Sequence, residues 1–269
     1  MVDYYQSEQA TSETKAERNQ TVPSRIQDDV RSLFLFRNVR DVTFQGLMRA
    51  SYDQSLPQHV TVIREGAPAD FLHIVLEGLV ELFAASNGRD ATMAVVRPVS
   101  TFILAASIRD APYLMSARTL QQSRVLLIPS TDLRAAIASD SQFAMNAMQE
   151  LAGCYRSMVR HTKNLKLRNT RERIGAYLLR QSRLLGNAAG FTLPVEKRLL
   201  ASYMGMTPEN LSRALKSLAA DGCKIDGQRV TITDRARLEA LVELSPLLDG
   251  PDPEAEQAGV SLPLPIAEF

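Results

Sequence analysis

Cysteine is scarce. Cys154 and Cys223 are the only two in 269 residues, too few for a disulfide framework or a four-thiolate metal site. Aromatic residues make up 6% of a chain that is 45% hydrophobic, so ordinary aliphatic packing must carry its cores. No apolar run approaches the ~18 residues needed to cross a membrane, and no signal-peptide pattern is present. The expectation is a soluble, cytoplasmic protein. Nucleophile–base groupings, metal-ligand spacings and a glycine-rich phosphate loop are also missing, which sets enzymes aside.

The length suits two modest domains at the usual ~100–200 residues each. Net charge is only +1, but its layout is uneven. Residues 150–243 hold 17 Lys and Arg against 9 Asp and Glu, whereas 246–269 hold five acids and no Lys or Arg. A basic stretch of that kind is the electrostatic footprint of a nucleic-acid binder.

Within it, residues 193–232 spell helix, tight turn, helix and hairpin. Leu199, Leu200 and Tyr203 mark the buried side of a first helix, and Gly205 suits the turn after it. Thr207 is placed to cap a second helix, Pro208 fits its first turn, and Glu209 suits its positive end. Leu211, Ala214, Leu215 and Leu218 then recur at helical spacing until Gly222 stops the run. Asp226–Gly227 is a two-residue hairpin signal between β-prone runs. This is the pattern of a winged helix-turn-helix, whose second helix lies in a DNA major groove. Its polar side carries Glu209, Asn210, Ser212, Arg213 and Lys216. Arginine can fork onto guanine, glutamate can accept from the cytosine amino group, and serine can serve either partner. Arg229 on the wing is a candidate phosphate contact, which positions without specifying.

Glu209, Ser212 and Arg213 in that spacing resemble the signature of the CRP/FNR superfamily of bacterial transcription regulators, in its FNR-like specificity class. The resemblance covers roughly residues 26–244. It implies that these three residues read a TTGAT-type half-site within a palindrome bound by a homodimer that contacts RNA polymerase. Pro208 stands where the CRP-type pattern has arginine, which argues against a CRP-type site. It also implies an α+β fold: an N-terminal cyclic-nucleotide-binding-type β-roll (25–138), a dimerisation helix (139–167) and a winged helix-turn-helix domain (168–245). Residues 1–24 are polar without apolar period and 246–269 acidic and proline-rich, so both are expected to be disordered tails. Family members with an iron–sulfur cluster carry N-terminal cysteines; none is present here, which excludes that cluster.

Upstream, residues 26–35 and 42–50 have the pattern of short helices. Short β-prone runs follow over 57–129, with Gly66, Gly78 and Asn87–Gly88 at the corners, as the roll requires. The family's phosphate-binding cassette has a Gly-Glu and an Arg-Ser pair; Ile103–Leu104 and Tyr113–Leu114 stand in those places. A buried phosphate without its arginine costs several kcal/mol, so cyclic AMP is not expected to bind. Phe102, Ile103, Leu104, Tyr113, Leu114 and Met115 make either a closed apolar core or an apolar pocket for haem or a hydrophobic effector. Resemblance to haem-based sensors in the family makes nitric oxide or a redox cue the favoured signal. His161 and Cys154 are candidate haem ligands; His73 is expected in the core and His59 exposed.

Residues 141–167 form one long helix. Met148, Leu151, Tyr155, Met158, Thr162 and Leu165 follow steps of three and four, the seam of a two-stranded coiled coil. Residues 170–185 and 234–244 are further helices. Three modes of control stay open: a population shift in which an effector in the roll alters how the paired helices pack, an effector-independent protein, or a thiol switch at Cys154.

Overall fold

Short β-prone runs separated by corner glycines become two four-stranded antiparallel sheets. The computed structural model describes residues 22–86 and 88–250. Most of the expected N-terminal tail, Asn87 and residues 251–269 lie outside them. Helices α1 (Ser24–Ser32) and α2 (Asp41–Ala50) lead in. The first stops at Ser32 rather than 35, because Phe34–Phe36 turn as a 3-10 segment that buries Leu35 and Phe36. The tail expected to reach Ser24 is also shorter: Val22 is buried in the core.

The strands are β1 (Tyr52–Leu56), β2 (Thr61–Ile63), β3 (Phe71–Glu77), β4 (Val80–Ser86), β5 (Arg89–Val96), β6 (Ser100–Phe102), β7 (Ser116–Thr119) and β8 (Ser123–Pro129). One sheet has the order β1-β8-β3-β6 and the other β2-β7-β4-β5. Ile63, Val75, Leu82, Val96, Phe102 and Ala117 form a shared core. A short helix, α3 (Leu104–Arg109), separates β6 from β7. Gly78 sits at φ +91°, and a Cβ there would come within 2.5 Å of the Gln122 carbonyl; only glycine makes that corner.

Helix α4 (Ser130–Ser139) and the 27-residue α5 (Ser141–Leu167) follow. Asp140 divides them, accepting from the backbone N–H groups of Gln142 at 3.1 Å and Phe143 at 3.2 Å. Burial alone would raise its pKa, but bonds from Thr43, Phe143 N–H and Arg40 hold it down at about 2. That charged cap fixes where the long helix begins. Phe143, Asn146, Ala147, Glu150, Gly153 and Ser157 form its buried side. Met145, Met148, Tyr155, Met158 and Val159 are exposed.

Arg168 joins α5 to α6 (Thr170–Leu184), whose start carries a capping box of Asn169 and Glu172. The C-terminal domain adds β9 (Gly190–Thr192), α7 (Lys197–Tyr203), α8 (Pro208–Ser217), β10 (Cys223–Asp226), β11 (Arg229–Ile232) and α9 (Arg235–Val242). Its sheet has the order β10-β11-β9. Leu178, Leu200, Leu211, Leu218, Val230 and Leu238 are its core, and Val95 of β5 packs into the same cluster. Thr92 N–H on β5 donates to Ser202 Oγ on α7 at 2.8 Å. The winged domain therefore leans on the roll of its own chain. Residues 246–250 depart from the expected disordered tail: Pro246–Asp249 form a single turn, α10.

Candidate nucleic-acid interface and the sensor roll

Each local signal in 193–232 has a structural counterpart. Gly205 takes φ +65° in the turn between α7 and α8. Thr207 Oγ1 accepts from Asn210 N–H at 3.2 Å, capping α8, with Pro208 at its first position. Leu211, Ala214 and Leu215 are buried, while Glu209, Asn210, Ser212, Arg213 and Lys216 are exposed along the other side. Gly222 stops the run at φ +82°, where a Cβ would lie 2.4 Å from the Asp234 carbonyl. The wing's two-residue turn falls at Gly227–Gln228, one residue later than the expected Asp226–Gly227, because Asp226 ends β10 and pairs with Arg229; Arg229 is exposed beside Gln228.

Arg213 Nη2 donates to Asn210 Oδ1 at 2.8 Å, so a neighbour one turn away on the same face orients its guanidinium. Its own backbone N–H, then the Thr207 hydroxyl and the charge of Arg213, hold the Glu209 carboxyl below the usual carboxylate range. An ionised acid, a hydroxyl and an oriented guanidinium at the front of an exposed helix can contact base edges directly. Thr207 also sits there, but its oxygen is already engaged as the cap.

The residues grouped as an effector pocket separate. Phe102 and Tyr113 are buried in the core between the sheets, with Ile103 and Met115 partly buried against them. Leu104 belongs instead to the core under α1, α2 and α5. Leu114 is 83% exposed. His161 meets the winged domain, its Nδ1 3.0 Å from the Tyr203 hydroxyl; burial and the charge of Arg173 lower its pKa. Cys154 is half-buried and its thiol is pushed up to about 12 by burial and then by Glu150, the opposite of a reactive thiolate. Leu104 opens the short helix α3 and faces the other core, while Leu114 lies in the segment before β7 on the opposite side from its buried neighbour Tyr113.

Within the roll, His73 is the buried histidine, as expected. It packs beside Phe102, ring centroids 5.1 Å apart, and edge-on to Tyr113 at 6.2 Å. Burial lowers its pKa to about 4, partly offset by a backbone bond at Phe71. Tyr113 Oη and Ser107 Oγ both donate to the Phe71 carbonyl at 3.0 Å. The Tyr113 hydroxyl is thus spent on the roll's own backbone.

Two features escaped the sequence. Glu150 is buried on α5, taking a hydrogen bond from Thr101 Oγ1, while its Oε2 has no partner. The Asp249 carboxylate forks onto Arg168 at 2.7 and 2.6 Å. No group of three or more His, Cys, Asp or Glu able to hold a metal occurs among the described residues, and no described helix is long and apolar enough to cross a membrane.

A roll of this topology joined by a long helix to a winged helix-turn-helix defines a DNA-binding transcription regulator with an N-terminal cyclic-nucleotide-binding-type domain. Comparisons agree on both halves. The profile of a cyclic nucleotide-binding domain matches residues 53–140, and that of a Crp-like helix-turn-helix domain matches 172–241. The chain belongs to the CRP/FNR family of transcription regulators. It is 25% identical over 210 residues to a CRP-like cAMP-activated global transcriptional regulator of Mycobacterium tuberculosis, covering 76% of this chain and 94% of that one. It is 25% identical over 208 residues to the cyclic AMP receptor protein of Thermus thermophilus, covering 74% and 95%. The structure of FixK2 from Bradyrhizobium japonicum is similar over 72% of this chain and 98% of that one, with a TM-score of 0.62 and 26% identity.

Proposed function

We propose that the chain acts as a homodimer that reads a TTGAT-type palindrome through Glu209, Ser212 and Arg213, with α8 of each protomer in successive major grooves. The observation that carries this reading is the exposed, capped helix presenting those three side chains together. Asn210, Lys216 and Arg229 add polar and phosphate contacts around them, and RNA polymerase is the further partner that family membership suggests.

The long helix supports dimerisation with a shifted seam. Tyr155 is 72% and Met148 57% exposed, and Ala152 and Thr162 share their side. Leu151 and Leu165, placed in the expected seam, are half-buried against their own chain: Leu151 packs on the core under α1 and α2, and Leu165 lies beside Gly205. Met145 and Val159 take their places. An exposed apolar stripe of this length on a soluble domain marks an interface. Tyr155→Glu sets two carboxylates against each other across a two-fold seam. It is expected to yield a monomer in sedimentation, with palindrome affinity reduced on the order of 100-fold through lost avidity.

Two relatives carry cyclic AMP in their names, but this roll supports another reading. Ile103, Leu104, Tyr113 and Leu114 stand in the cassette positions, without an arginine or a glutamate for the cyclic nucleotide. The candidate haem ligands lend haem little support: His161 faces Tyr203 of the winged domain, and burial and then Glu150 keep the Cys154 thiol protonated. A closed roll is the better supported of the two alternatives, ahead of a nitric-oxide or redox cue through haem. Titration with cyclic AMP is expected to leave DNA affinity, followed by fluorescence anisotropy, unchanged. A rise in affinity that saturates with cyclic AMP would reject this reading.

A further inference from the structure

A cavity of about 100 Å³ lies where the roll, the long helix and the winged domain meet. Met93 comes from β5, Met158 and His161 from α5, Tyr177 from α6, and Tyr203 ends α7. Anything bound there touches all three parts of the chain. Met93 and Met158 are exposed, which gives a ligand its way in.

The lining is mostly apolar, and its methionines adapt readily to shape. Among the described residues that line it, Asp249 is the one acid, and its carboxylate already forks onto Arg168. Arg183 donates to the Asp249 carbonyl, and Arg160 and Arg180 are engaged as well, so these arginines keep the partners they have. Two neutral donors remain. Tyr177 is buried in the wall, and its hydroxyl has no partner; a ligand oxygen would remove the cost of that orphan. Burial pushes the Tyr177 and Tyr203 phenols up, so both keep their hydrogen. The Tyr203 hydroxyl needs an acceptor, and His161 Nδ1 lies 3.0 Å from it. Burial and the charge of Arg173 lower the His161 pKa, so the neutral ring carries its own hydrogen on Nε2 and donates from there.

We propose that this cavity is a binding site for a small monocarboxylate, whose oxygens accept from Tyr177 Oη and His161 Nε2 while its apolar body packs among Met93, Met158 and Met204. Donors on two different helices call for two acceptor oxygens, which a carboxylate supplies in one group. A dry cavity of ~150 Å³ takes benzene, so this smaller one suits a body of about four or five carbons. The site does not depend on which DNA sequence the protein reads.

The test uses the full-length chain, isotope-labelled at its methionine methyl groups, titrated with isovalerate and followed by NMR. Saturable shifts are expected at Met93, Met158 and Met204, with Met48, in the core under α1, unmoved. Tyr177→Phe keeps the ring and removes only the unpartnered hydroxyl. Without ligand it should melt no lower than the wild-type chain, yet bind isovalerate about tenfold or more weakly. Isopentyl alcohol, the same body without the carboxylate, should bind the wild-type chain about tenfold or more weakly than isovalerate does. Shifts that fail to saturate, equal affinity in Tyr177→Phe, or equal binding of the alcohol each overturn the site. A lower melting temperature for Tyr177→Phe would mean that the hydroxyl already has a partner, and that too overturns it.

Discussion

At pH 8, Glu150→Gln is expected to raise the free energy of unfolding by about 3 kcal/mol, and at pH 4.5 to change it little. Burial is the cause. Glu150 is 2% exposed, accepts one hydrogen bond from Thr101, and has a second oxygen with no partner. Burial pushes its pKa up from 4.5 to about 7, with the Thr101 bond opposing. Below pH 4.5 the carboxyl is neutral in both the folded and unfolded chain, so it exacts no penalty. As pH rises toward 7 the unfolded chain ionises first, and folding then requires an extra proton. Stability is lost through that window, and above it the full cost remains, at ~1.4 kcal/mol for each tenfold rise in the carboxyl's proton affinity on folding. Glutamine keeps the shape and the bond from Thr101 without the charge.

His73 acts in the opposite sense. Its pKa falls from 6.5 to about 4, so it contributes stability that is present above pH 6.5 and lost as pH drops toward 4. The two groups largely offset each other in the wild-type chain, and Glu150→Gln exposes the histidine slope. Urea unfolding of both proteins from pH 4.5 to 8 measures the difference directly. A gap between them that stays constant with pH would show that folding leaves the proton affinity of Glu150 unchanged.

The second large effect concerns DNA. Arg213→Ala is expected to cost about 1–3 kcal/mol of palindrome affinity and to relax the preference at a single base pair, the signature of a lost fork onto guanine. Asn210 holds that guanidinium at 2.8 Å, so Asn210→Ala should reproduce part of the loss without removing the charge. Lys216→Ala should differ in kind, weakening specific and random duplexes alike and lowering the salt slope by about one. If Arg213→Ala weakened both duplexes equally, its contact would be to phosphate.

Local signals were readable in the sequence wherever a few adjacent residues settle the geometry. Thr207 and Pro208 start a helix, Gly222 ends it, and Gly227 turns the wing (with Gln228, one residue past the expected pair), all without help from distant parts of the chain. The long helix was readable over its full span for the same reason. Glu150 was not, because a single acid on a helix rich in polar residues reads as solvated; its burial depends on Thr101, 49 residues earlier. The pocket grouping failed through topology: Phe102, Leu104 and Leu114 are close in sequence, but they face one core, another core and solvent. At the other end, a proline-rich acidic composition concealed that Asp249 finds Arg168. Likewise the period of the long helix alone could not say which apolar stripe its own chain takes, and Leu151 and Leu165 are half-buried against it.

The central claim is that one capped helix, doubled by dimerisation, distinguishes a DNA sequence. The most direct measurement is competition between a TTGAT palindrome and a scrambled duplex of equal length, at one fixed salt concentration near ~150 mM, the physiological value. The expected result is a preference of at least about 1,000-fold for the palindrome, with two protomers bound per duplex. Equal competition by both duplexes, or saturation by a single protomer, would contradict it.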